Sequence, residues 1–220
     1  MKGKNQIYTG TGIEVYYDAS RCIHAAECVH GLPGVFDPKA RPWINPDGAT
    51  PGEIAEVVDH CPTGALSCRR LDGGSDPHPK TENQVTVAAD GPLYLRGRIS
   101  VIDANGNTVL EDTRVALCRC GASKRKPLCD GSHTAAGFDD PGAIVSPSSE
   151  ASDEAGTEGG LTVSCSADGP LGVQGAHTLV DGFAETVCRS QSSYLCRCGA
   201  SANKPFCDGS HKRVGFKSDD

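Results

Sequence analysis

Two stretches of this chain carry one signature. Residues 118–133 read CRCGASKRKPLCDGSH and residues 196–211 read CRCGASANKPFCDGSH. Each offers three thiols and one imidazole: Cys118, Cys120, Cys129 and His133, then Cys196, Cys198, Cys207 and His211. Every donor in the second set follows its counterpart by 78 residues. Thiolates and imidazoles are ligands of transition metals, and four of them within sixteen residues, repeated in register, point to metal binding. A third set lies nearer the N-terminus, in CIHAAEC (22–28) and in Cys61-Pro62, with His24 and Cys68 as neighbouring donors. A mononuclear zinc site would accept the same Cys3His donors.

The elements that must position these donors are short. Aromatic residues make up 5% of the chain, and it holds 27 Gly and 14 Pro. That composition suits loop-rich modules with small cores, which metals commonly hold together. Residues 5–70 form a first domain. Within it, PGEIAEVVDHC (51–61) predicts a helix with Pro51 near its start and Ile54, Val57 and Val58 on one face, delivering Cys61. Residues 84–138 and 161–217 form two further modules. At the offset of 78, Asp90–Phe138 aligns without gaps on Asp168–Phe216, with 24 of 49 positions identical, so the modules are an internal duplication. Each reads as short strands with turns between, followed by a helical turn after CDGSH that Asp130 or Asp208 is placed to cap. The expected fold class is therefore α+β, the two mainly-β modules pairing as an intrachain pseudo-dimer. Residues 71–83 and 139–160 read as linkers. The second linker holds six acids and no Lys or Arg, and carries most of the net charge of −7.

Twelve cysteines, with no apolar leader in MKGKNQIYTG and no membrane-length apolar run, predict a cytoplasmic protein that spends its thiols on metal. No basic patch with interleaved aromatics points to nucleic acid. Cys165 and Cys188 align with Val87 and Leu110, so both are expected in the core. Trp43 is also read as core. Lys126 and Lys204, just before the motif prolines, are either sources of local positive charge or solvated side chains.

The pattern C-x-C-x2-S-x3-P-x-C-D-G-S-H, matched twice at every named position, resembles the CDGSH iron–sulfur (NEET) family. That resemblance implies one [2Fe–2S] cluster per motif. Cys118 and Cys120 would bind one iron, Cys129 and His133 the outer one, with Cys196, Cys198, Cys207 and His211 repeating the set. Family members with two motifs in one chain resemble a fused dimer. Over residues 13–68 the chain resembles the divergent single-cluster ferredoxins. Cys22, Cys28 and Cys61 would hold a cubane-type cluster, while Ala25 stands where a middle cysteine would be. The vacant corner implies [3Fe–4S], or [4Fe–4S] with His24 or Cys68 as the fourth ligand.

An imidazole in place of a thiolate makes a cluster less negative, which raises its potential, and adds a group that titrates near neutrality. The expected function is electron transfer between the ferredoxin-like cluster and the two Cys3His clusters, with an unidentified redox protein or apo iron–sulfur protein as partner. The alternatives are cluster donation or redox and pH sensing through labile His-ligated clusters, and clusters that only staple small domains. No nucleophile–base pair, phosphate loop or dinucleotide fingerprint marks an enzyme. The chain is expected to be a monomer with internal two-fold pairing.

Overall fold

A computed structural model describes residues 6–77, 82–144 and 159–218. The chain divides into two compact units, Met1–His78 and Pro79–Asp220. It is mostly β, with few and short helices.

The first unit holds β1 (Gln6–Gly10), β2 (Ile13–Tyr17), α1 (Glu27–Gly31), α2 (Pro51–Asp59) and β3 (Leu66–Arg70). The strands form an antiparallel sheet in the order β1-β2-β3. In β2, Ile13 and Val15 are fully buried and alternate with Glu14 and Tyr16, as a strand with one covered face requires. α2 covers that face, and its start is locally encoded. Pro51 occupies the first turn, where no N–H is needed, and Thr50 and Glu53 form a reciprocal capping box. The helix buries Ile54, Ala55 and Val58, while Val57 is half-buried beside Gly31. It ends at Asp59, two residues before the end expected from the sequence. Cys61 therefore sits just past the helix, its N–H bonded to the Val58 carbonyl at 3.1 Å.

The second unit contains β4 (Gln84–Val87), β5 (Leu93–Ile102), β6 (Thr108–Leu117), α3 (Ser132–Ala135), β7 (Leu161–Cys165), β8 (Leu171–Val180), β9 (Thr186–Leu195) and α4 (Ser210–Arg213). Within the first repeat, β4-β5-β6 pair antiparallel; within the second, β7-β8-β9 do the same. The repeats then pair with each other. β5 runs parallel to β7, and β4 parallel to β8. The two cross-pairings are equivalent: Ser100 pairs with Thr162, and adding 78 to the first and subtracting 78 from the second gives Thr178 with Gln84, which also pair. Both repeats share one hydrophobic core, in which Val85, Leu95, Val101 and Leu117 meet Val163, Val173, Leu179 and Leu195. Cys165 is 3% exposed within that core and Cys188 packs against it, as expected from their apolar counterparts.

Parts of both linkers, residues 78–81 and 145–158, lie outside the described residues. The described part of the second does not hang free: Ile144 joins the core, and Asp140 pairs with buried Arg119. No helix among the described residues is long and apolar enough to cross a membrane.

Candidate metal centres

In the first unit, Cys22 follows β2, Cys28 lies on α1 and Cys61 follows α2. The fold brings these three thiols to one small pocket, walled by Tyr17, Trp43, Pro62 and Ala25. Burial pushes the Cys28 thiol up to about 11, and the neighbouring Cys61 and Cys22 add to the effect. A thiol in that condition ionises when a metal cation supplies the missing positive charge. The Cys61 sulfur lies 3.6 Å from the Thr63 hydroxyl. Trp43 is half-buried and meets Tyr17 edge-on at 4.8 Å, so it is core and cluster wall together. His24 is exposed, with φ +59°, and lines an adjoining cavity with Cys22, Cys28 and Arg41. Cys68 stands on β3 opposite Val15, half-buried against the hydrophobic core, and lines neither cavity.

In the second unit each motif sets its four donors as two pairs. The Cys118 and Cys120 sulfurs are 3.9 Å apart, and the Cys129 sulfur lies 3.4 Å from Nδ1 of His133. The corresponding distances are 3.6 Å for Cys196–Cys198 and 3.4 Å for Cys207–His211. Among the described residues, no three His, Cys, Asp or Glu donors gather round one ion. Beyond burial, a charge on Cys120 raises the Cys129 thiol, and one on Cys196 raises that of Cys207. Cys118 and Cys120 share a hydrogen bond that raises the Cys118 thiol and lowers that of Cys120. Burial raises Cys129 to about 11 and Cys198 to about 11. It also lowers the pKa of His133, keeping its ring neutral and able to bind metal.

The polar residues that both copies of the motif share close its loop. Cys118 N–H donates to the Pro127 carbonyl at 2.8 Å and Cys129 N–H to the Ala116 carbonyl at 2.9 Å, which folds the chain back beside its own first cysteine. The Ser123 hydroxyl donates to the Leu128 carbonyl at 2.7 Å. Asp130 accepts from Ser132 N–H at 3.0 Å, at the start of α3, and from Lys124 N–H at 2.9 Å. Ser201 and Asp208 repeat these bonds in the second copy. Backbone N–H groups also point at the sulfurs: Ala122 at Cys120, Gly131 at Cys129 and Gly209 at Cys207, at 3.4–3.5 Å.

The two motifs touch. Cys120 and Cys198 form an isolated antiparallel bridge. Lys126 lies 5.8 Å from the centre of the Phe216 ring, and Lys204 reaches Asp140 at 3.5 Å. Lys126 therefore reaches into the opposite repeat, and Lys204 reaches the segment that follows the first repeat. Sequence reading passed over Arg119 and Arg197. Each is buried and lies in sequence between the two cysteines of its C-x-C, with Nε donating at 2.9 Å to the Gly91 or Gly169 carbonyl. Their identity at the fixed offset was the available signal.

Comparison with known proteins agrees with this geometry. The family described as "Divergent 4Fe-4S mono-cluster" matches residues 8–71, and the family described as "Iron-binding zinc finger CDGSH type" matches residues 90–134 and 168–212. The "Uncharacterized protein YjdI" of Escherichia coli (strain K12), and its counterpart in Escherichia coli O157:H7, are each 39% identical over 69 residues, covering 31% of this chain and 91% of theirs. No solved structure matches. The chain belongs to the CDGSH iron–sulfur family, in its tandem two-motif form, joined to a divergent 4Fe-4S mono-cluster domain.

Proposed function

We propose that this protein is a multi-cluster electron carrier, passing electrons between a cubane-type cluster at Cys22, Cys28 and Cys61 and two [2Fe–2S] clusters at the CDGSH motifs. The observation that carries the reading is the pairwise arrangement of donors in each motif. A binuclear cluster needs two ligands per iron, whereas a lone zinc ion needs four around one point. Cys118 with Cys120 and Cys129 with His133 meet the first requirement, as do Cys196 with Cys198 and Cys207 with His211. When bound, the clusters supply one-electron chemistry. The chain's part is to hold them through buried and half-buried thiols, to aim N–H groups at the sulfurs and to keep the His133 imidazole neutral.

The functional division is 5–70, 84–138 and 161–217, with the last two acting as one pseudo-dimer; the equivalent β4–β8 and β5–β7 pairings support it. Three cysteines at a pocket walled by Ala25 favour [3Fe–4S] in the first domain, and His24 is better placed than Cys68 to complete [4Fe–4S]. The chain works as a carrier and not as an enzyme, in the cytoplasm, with a redox protein as partner. A redox titration followed by EPR tests the proposal: reversible reduction of three centres with their iron retained supports it, and irreversible loss of iron on reduction overturns it.

A second reading is donation of clusters to an apo-protein. It is favoured by the contrast between Cys118 and Cys196, which are buried, and His133 and His211, which are only half-buried. Transfer of iron and sulfide to an apo-ferredoxin, faster than reduction, would select it.

A further inference from the structure

The two CDGSH motifs meet at a ligand-to-ligand seam. Cys120 and Cys198, one ligand from each, pair as an antiparallel bridge. The residue after each is glycine in the left-handed region, Gly121 at φ +81° and Gly199 at φ +78°. A Cβ at 121 would stand 2.7 Å from the Cys198 carbonyl oxygen, and one at 199 would stand 2.6 Å from the Cys120 carbonyl oxygen. Real side chains do not tolerate such separations, so only glycine permits this approach. Lys126 over Phe216 and Lys204 on Asp140 clamp the same seam from each repeat. The strand exchange β4–β8 and β5–β7 holds the two motifs in one body.

We infer that Cys120 and Cys198 form a direct electron bridge between the two CDGSH clusters, and that Gly121 and Gly199 are the positioning residues that set its length. The inference rests on the electron-carrier reading above. One electron leaves a reduced cluster, taking one iron from Fe(II) to Fe(III), and reduces one Fe(III) of the other to Fe(II). No proton or ligand is transferred, and an external one-electron donor supplies the first electron. Electron exchange falls steeply with separation, so a backbone contact between two ligands makes the pair one redox unit instead of two independent sites. The glycines touch neither iron and act through the cysteines beside them.

The test is EPR of the full-length chain carrying Cys22→Ser, Cys28→Ser and Cys61→Ser, so that only the CDGSH clusters contribute, reduced stepwise with dithionite. The half-reduced protein should give a narrow signal and the fully reduced protein a split or broadened one. The two one-electron steps should separate, because the first electron repels the second. Gly121→Ala with Gly199→Ala should reduce the splitting at least about twofold at unchanged iron content. Should those variants lose iron, the parent line shape still decides. A fully reduced spectrum that is the plain sum of two independent signals overturns the inference while leaving the carrier reading intact. Clusters that cannot be reduced reversibly overturn both.

Discussion

The cysteine pair that opens the first motif is chemically lopsided. The hydrogen bond between the two raises the Cys118 thiol and lowers Cys120, so in the metal-free chain Cys120 is the more readily ionised of the pair. Iodoacetamide at pH 7 should therefore alkylate Cys120 severalfold faster than Cys118, and iron reconstitution should abolish the difference; peptide mass spectrometry reads both. A second residue-scale contrast lies in the core. His177 is fully buried where the first repeat has Ile99. Its Nδ1 lies 2.7 Å from the Gly175 carbonyl and its Nε2 3.0 Å from the Ser193 hydroxyl. Burial lowers its pKa, so the folded state holds it neutral. The unfolded chain then binds more protons below about pH 6.5, and stability falls as pH drops from there toward the folded pKa, by about 1.4 kcal/mol per unit. His177→Ile should flatten that acid limb, as urea unfolding at pH 7.5 and 5.5 would register.

Among the elements, α2 was the most legible, because Pro51, Thr50 and Glu53 encode its start locally. Thr50→Ala should cost about 1 kcal/mol by chemical denaturation and loosen Cys61, visible as faster loss of the first unit's cluster absorbance. The segment after the first motif was less legible. Residues 139–160, acidic and without a hydrophobic period, read as linker, yet Asp140 accepts from the buried guanidinium of Arg119 and the backbone of Gly142. Composition could not reveal this, since one carboxylate among six looks like its neighbours until the fold places a buried cation beside it. Asp140→Asn leaves that cation uncompensated and should destabilise the second unit by about 3–5 kcal/mol, in the range for breaking a buried pair. The second repeat carries Ser218 at the equivalent position, so Ser218→Ala should be far milder.

On the scale of the whole molecule, neither repeat is complete alone. β4 finds its parallel partner in β8 and β5 in β7, and the core draws on both copies. A chain of residues 82–218 should fold and hold both CDGSH clusters, whereas residues 82–144 alone should be unfolded and colourless; circular dichroism and visible absorbance distinguish them. The sequence by itself determined the two motif copies, the duplication and the families, because ligand chemistry demands particular residue types at short spacings and a repeat preserves its offset. The start of α2, the burial of Cys165 and the packing of Cys188 against the core followed from the same local or repeated signals. Only the tertiary structure decided that the donors stand as close pairs, that Arg119 and Asp140 meet, and that the two motifs abut at Cys120 and Cys198. Those relations join residues far apart in the chain through strand exchange and backbone contact. Backbone contacts are made by atoms every residue shares, so side-chain identity announces them only indirectly, here through two glycines that leave room for a carbonyl.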